Sequence, residues 1–405
     1  MTALDLEQGE HRGIAVYSKA LISCLKQAGA EVWLLTEFDS STGGSGLKRL
    51  PKATRDLVLN ARVLNALAEG QVYEGNSWLA RKLPFGHRFI RLQKQLSELV
   101  STVFSPRHYS ARALRAIHVH HQLDNPYLRH ERLGYARNVD GVLCARKVFF
   151  NSMWQAQCQR GPISIDLSGF DALITTCPLN LRPSNSCTFV QTVHDLIPLE
   201  YAQTLENVGV FARRLAACLP ARRLHVSDST QQKFNAAVLG ALPERDRTSV
   251  EPRDQVAIQP PSLQFPQWLF GAGEAAEPSA APPADFPPSS YLLRGSAAGK
   301  GARPLSLKPF RYLLFNSSVE PRKNLLFLVQ AYVESNLSSQ GIQLCVTGKL
   351  KRDDYSAAVR EIVKHEPGIL LTGYINESTK HDLYLNSLGL LSPSLVEGFG
   401  IPVLD

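Results

Sequence analysis

The chain has 405 residues, too many for one ordinary core and about right for two or three domains, and its 44% apolar and 20% charged residues exclude a disordered protein. Seven cysteines (Cys24, Cys144, Cys158, Cys177, Cys187, Cys218, Cys345), odd in number and without a C-x-x-C pair, argue against a disulfide scaffold and a cysteine zinc site. They fit a reducing compartment, and no run approaches the ~20 apolar residues that span a bilayer. The net charge of +8 lies wholly in residues 1–304, since residues 305–405 carry ten basic and ten acidic side chains; this asymmetry fits an anionic partner or ordinary solubility charge.

In chain order, Met1–Glu7 lacks the basic flank and apolar run of a signal peptide, so a cytoplasmic location is expected. Leu4-Asp5-Leu6 reads as a first strand, Gly13 to Ala28 as a helix closed by Gly29, and Glu31 to Leu35 as a second strand. Ser41 to Gly46 is Gly-rich but not a P-loop, and reads as a flexible loop. From Arg81 to Arg115 there are eight basic residues and one acidic, with Phe89, Leu92, Leu96, Leu99 and Val103 at helical spacing. Such a helix packs its stripe into a core or lies on an anionic membrane surface. His118, His120 and His121 cluster without carboxylates at metal-ligand spacing, which favours a surface or acceptor-side role. Basic residues lack the aromatic interleaving of RNA modules, so no nucleic-acid partner is expected. Strands follow at Ala172–Thr175, Thr188–Val193 and Leu224–Ser227, then a helix from Asp228 or Ser229 through Phe234 to Leu239.

From Pro260 to Arg303 the chain is rich in Pro, Ala, Gly and Ser, with too few large apolar residues to offset the entropy of ordering. It reads as a linker or insertion. The expected domains are therefore 1–255, a 256–308 linker, and 309–405. The last has the clearest rhythm: strands at Tyr312–Phe315, Leu344–Val346, Ile369–Leu371 and Leu388–Leu391 alternate with helices at Asn324–Val333, 353–366 and Glu377–Asn386. That alternation predicts an α/β fold with parallel sheets in two halves, and ligands at the carboxyl ends of the strands.

Four segments fall at such ends. Gly13 opens the first helix, where backbone N–H groups can approach a phosphate. His194-Asp195 follows an apolar strand, where an imidazole can donate a hydrogen bond, move a proton or simply cap the strand. Glu320-Pro321-Arg322-Lys323-Asn324 puts two cations before a helix, suiting a pyrophosphate or forming a solvated turn. Glu397-Gly398-Phe399-Gly400-Ile401-Pro402 sets a carboxylate in a Gly-rich loop, with Asp405 eight positions on; carboxylates accept well from sugar hydroxyls.

Taken in order, these segments resemble the family-4 glycosyltransferases of GT-B fold. The carrying residues are Arg12-Gly13-Ile14 through Tyr17, Val193-His194-Asp195-Leu196-Ile197-Pro198, Val226-Ser227-Asp228-Ser229, Glu320 to Leu325, Gly373-Tyr374, and above all Glu397 to Leu404. The resemblance is good over 13–36, 188–240 and 311–405, faint over 40–170 and absent in the Pro-rich stretch. It implies two Rossmann-like domains with parallel sheets. It also implies a nucleotide-sugar donor held mainly by the C-terminal domain, a glycan or lipid-linked acceptor held mainly by the N-terminal one, retention of anomeric configuration, and no metal.

By matching motifs, Glu397 is expected at the donor sugar, Asp405 at the ribose, Lys323 with Arg322 at the diphosphate, His194 facing sugar and acceptor, and Gly13 beside the diphosphate. Gly398, Phe399 and Gly400 complete the donor loop. Two departures stand out: Asn316-Ser317-Ser318 lacks an arginine common in the family, and Asp405 replaces a Glu. The family continues beyond the helix that Pro402 would open, so the C-terminal domain is expected to be incomplete. The alternative function is then a non-catalytic remnant that binds a nucleotide sugar or a membrane.

Overall fold

A computed structural model describes residues 1–7, 13–40, 46–70, 106–122, 124–128, 133–201, 207–250, 253–257, 291–292, 306–373, 375, 377–398, 400 and 403. The expected amphipathic helix around Phe89–Val103, nearly all of the Pro-rich stretch, Phe399 and Asp405 lie outside these residues. The chain divides into two compact units: Met1–Glu200 with Thr204–Pro260, and Tyr201–Gln203 with Pro261–Asp405. Both are mixed α/β with parallel sheets, the fold class expected.

Unit 1 contains α1 (Gly13–Gln27), β1 (Trp33–Thr36), α2 (Lys52–Glu69), β2 (His108–Tyr109), β3 (Arg115–His118), β4 (Gly141–Cys144), α3 (Val148–Gln157), β5 (Ile163–Ile165), β6 (Ala172–Thr175), β7 (Leu181–Pro183) and β8 (Thr188–Val193). It continues through α4 (Ile197–Glu200), α5 (Val208–Ala216), β9 (Arg222–His225), α6 (Asp228–Phe234), α7 (Glu244–Val250) and β10 (Asp254–Val256). Strands run in the orders β1-β4-β3, β10-β9-β8-β6 and β2-β5-β7, with only β3 antiparallel to its neighbour among the described residues.

The expected strand at Leu4-Asp5-Leu6 is instead a turn, and the extended segment is Met1–Ala3. Leu35 donates to the Met1 carbonyl (2.7 Å), Ala3 donates to Leu35 (2.8 Å), and Thr2 donates to Ile174 on the other side (2.9 Å). These three residues thus join β1 to β6 and make one sheet of the first two groups. Hydrogen-bonding room between two existing strands decided the register over the apolar alternation of residues 4–6. The strand expected at Leu224–Ser227 lies two residues earlier, at Arg222–His225, and ends short of Ser227, which serves as the N-cap of α6 by accepting from the Thr230 N–H.

Helices cover the sheet with apolar faces: Ile22 of α1 and Val63, Leu64 and Leu67 of α2 pack with Leu34, Val142 and Ile117. Phe211 and Leu215 of α5 and Phe234 of α6 pack with Val193.

Unit 2 begins, among described residues, with an antiparallel pair, β11 (Tyr291–Leu292) and β12 (Ser306–Leu307). β13 (Tyr312–Asn316), α8 (Leu325–Glu334), β14 (Gln343–Thr347), α9 (Asp354–His365), β15 (Ile369–Gly373), α10 (Glu377–Leu385) and β16 (Gly389–Leu390) follow. The sheet order is β15-β14-β13-β16, all parallel. Alternation sends Phe315, Leu344 and Val346 to one face against Leu325, Leu328 and Val329 of α8, and Leu314, Cys345 and Leu370 to the other against Leu383 of α10. Both faces are covered, as a parallel sheet requires. The placement that matters is β16 beside β13, because their carboxyl ends release two loops side by side.

Candidate functional site

The first loop follows β13. Pro321 to Lys323 forms one 3-10 turn, with the Lys323 N–H donating to the Glu320 carbonyl (2.9 Å) and Asn324 in left-handed conformation (φ 57°) before α8 begins. The turn folds Lys323 inward until only 6% of it is exposed. The second loop follows β16 and is zipped to the first: Leu395 N–H donates to the Arg322 carbonyl (2.8 Å), and Arg322 Nη1 donates to the Val396 carbonyl (3.5 Å). Glu397 is thereby delivered to Lys323 across 74 residues of sequence.

Lys323 Nζ lies 2.5 Å from Glu397 Oε1, and Arg322 Nη1 lies 3.7 Å from Glu397 Oε2. Arg322 Nε also pairs with Glu320 Oε2 (3.1 Å), whose other oxygen takes Lys351 Nζ (3.3 Å). Burial, then the Arg322 charge, push the Lys323 ammonium below its ordinary pKa, while Glu397 and Glu320 partly hold it up. For Glu320, burial acts upward, but Arg322 and Lys351 together outweigh it, and the carboxyl titrates below its ordinary value. Three cations and two carboxylates leave this network one positive charge in excess, the balance that receives an anion.

Beside it, the β13 and β14 loops touch backbone to backbone. A Cβ on Gly348 (φ +112°) would stand 2.2 Å from the Ser317 carbonyl oxygen, so this approach admits only glycine.

Of the residues expected from sequence, Arg322, Lys323 and Glu397 are brought together, with Gly398 and Gly400 following in the same loop; Gly400 is left-handed (φ +78°). Phe399 and Asp405 lie outside the described residues. His194 and Gly13 belong to unit 1. Gly13 is exposed, with no atom within 4 Å of where a Cβ would be.

His194 sits one residue beyond β8 and is buried. Its Nε2 is 2.8 Å from the Thr176 carbonyl, and the Tyr17 ring meets it edge-on at 4.8 Å. The rings of His118 and His121 lie 5.6 Å apart at a 38° tilt, and His120 pairs with Asp140 (3.0 Å); no group of three metal-binding side chains occurs among the described residues. Sequence reasoning did not assign roles to Glu320 or Lys351. Glu320 lies inside a recognised motif, whereas Lys351 carries no local signal.

Residues 303–405 match the family described as Glycosyl transferases group 1. Among solved structures, the chain is similar to sucrose-phosphate synthase from Thermosynechococcus elongatus at 13% identity and a TM-score of 0.34, over 69% of this chain and 60% of that one. No curated protein matches the chain. No helix among the described residues is long and apolar enough to cross a membrane.

Proposed function

We propose that the protein is a retaining glycosyltransferase that moves a sugar from a nucleotide-sugar donor to a glycan or lipid-linked acceptor, in cell-surface polysaccharide synthesis. The observation that carries this reading is the Lys323–Glu397 pair at 2.5 Å, inside the segment that matches the family. A carboxylate suited to sugar hydroxyls and a buried cation suited to a diphosphate occupy one loop junction, in a network with a surplus of positive charge.

In the reaction, the bond from the anomeric carbon to the diphosphate oxygen breaks and one from the anomeric carbon to the acceptor oxygen forms. The acceptor's proton leaves with the departing phosphate. Charge on the leaving group is the chief electrostatic problem, and Lys323 and Arg322 answer it without a metal. Glu397 orients the donor sugar, Gly398, Phe399 and Gly400 bind the donor, and Asp405 holds the ribose. The enzyme works in the cytoplasm, and the basic stretch 81–115 provides peripheral contact with anionic membrane.

The test is release of nucleoside diphosphate from UDP-glucose and GDP-mannose in the presence of lipid-linked acceptor extract. Lys323→Ala and Glu397→Ala should each lower turnover about 100-fold or more while leaving the fold intact. Near-normal rates in both variants would overturn these roles.

A further inference from the structure

The Arg322 guanidinium is gripped at two of its three nitrogens. Nε donates to Glu320 Oε2 (3.1 Å), two residues back across Pro321. Nη1 donates to the Val396 carbonyl (3.5 Å) and lies 3.7 Å from Glu397 Oε2. Nη2 has no partner among the described residues, and the side chain is 20% exposed. A guanidinium is a rigid planar fork, so fixing Nε and Nη1 fixes the direction of Nη2.

Glu320 is held in its turn. Its Oε1 accepts from Lys351 Nζ (3.3 Å) in the loop after β14. Lys351 is pinned at both backbone groups: its N–H donates to Ser356 Oγ (3.1 Å), and its carbonyl accepts from Arg360 Nη2 (2.6 Å). Ser356 is buried in the first turn of α9, where its N–H donates to the capping Asp353 side chain (2.7 Å). Glu320 therefore spans from the turn after β13 to the capped start of a helix after β14. Against burial, Arg322 and Lys351 hold its carboxyl below the ordinary pKa, so both oxygens accept at neutral pH.

By charge alone, a carboxylate this close to a diphosphate site weakens binding, because it repels the ligand. By geometry it strengthens binding, because a fork already set in place loses less freedom when a phosphate arrives. The two effects have opposite signs, so a measurement can separate them.

We propose that Glu320 is the positioning residue for Arg322: anchored by Lys351, it holds the guanidinium by its Nε edge and so presents Nη2 to the diphosphate of the donor. This rests on the reading of Arg322 as a cation for that diphosphate.

The experiment is calorimetric titration of the full chain with UDP and GDP. Glu320→Ala should weaken binding about fivefold or more, although it removes a negative charge. In an Arg322→Ala background the same substitution should no longer weaken binding, because only the repulsion is left to remove. Unchanged or tighter binding in Glu320→Ala overturns the proposal, and so does an equal loss in both backgrounds, which is what a merely structural role would give. Nitrogen NMR of the arginine Nε–H groups, with Arg322 assigned through Arg322→Lys, needs no ligand. The Arg322 Nε–H should exchange slowly in the wild type and rapidly in Glu320→Ala; rapid exchange in the wild type overturns the positioning role alone. A wild-type chain that binds neither nucleotide is a different failure, ending the donor reading and this proposal with it.

Discussion

Two ion pairs, one in each unit, differ in what surrounds them. In unit 1, Arg223 pairs with Asp254, and both side chains are sealed, at 0% and 3% exposure. His225 adds a contact to the same Asp254 oxygen (3.0 Å), and the guanidinium also donates to the Leu219 and Val250 carbonyls. In unit 2, the Lys323 side chain is nearly as buried, but that of its partner Glu397 is 28% exposed. A sealed pair whose remaining donors all end on backbone carbonyls can only hold structure together: it clamps β10 and the end of α7 onto β9. A pair that is dry on the cationic side and open on the anionic side keeps a charge poised toward solvent, where a ligand can exchange partners with it. Burial of both charges gives a clamp, whereas a pair with one charge exposed is the arrangement proposed above to meet the donor.

The largest effect should come from breaking the clamp. Asp254→Ala leaves Arg223 buried without its counter-charge and should destabilise unit 1 by about 3 kcal/mol or more, read as a lower urea midpoint. Lys323→Ala should shift that midpoint far less, because its partner is partly solvated. Equal losses of stability from the two substitutions would erase the distinction.

A pH experiment sharpens it with two carboxylates of opposite behaviour. Burial pushes Glu7 up to about 8, opposed only in part by the Thr36 hydroxyl (2.5 Å). Folding therefore takes up a proton at Glu7 between about 4.5 and about 8, and the wild type should lose stability relative to Glu7→Gln as pH rises through that window. Glu320, held below its ordinary value, contributes stability that is present above 4.5 and lost as pH falls below it. Relative to Glu320→Gln, the wild type should accordingly weaken toward acid, by about 1 kcal/mol at most for a partly exposed group. Urea midpoints across pH 3 to 9 check both signs.

An effect of similar size belongs to neither pair. Ser227→Ala removes the α6 cap and should cost about 1 kcal/mol.

Unit 2 was the more legible half because its strands and helices are joined by short turns and each strand is a compact apolar run. Tyr312–Asn316, Gln343–Thr347 and Ile369–Gly373 lie within two residues of where periodicity puts them. The first strand of unit 1 was misplaced by a few residues because Met1–Ala3 is only three residues long and its pairing is set by partners more than 30 and 170 positions away. The meeting of Lys323 with Glu397 could be expected from motifs at the ends of neighbouring strands. The contact of Lys351 with Glu320, and that of His194 with the Thr176 carbonyl, could not, because each depends on which strands become neighbours and leaves no local pattern.

What the Lys323–Glu397 pair binds is measured most directly by calorimetric titration of the full chain with UDP, GDP and ADP. Saturable binding of at least one nucleoside diphosphate is predicted, weakened tenfold or more, about 1.4 kcal/mol, by Lys323→Ala. Failure of all three to bind, or an affinity indifferent to Lys323→Ala, would contradict it.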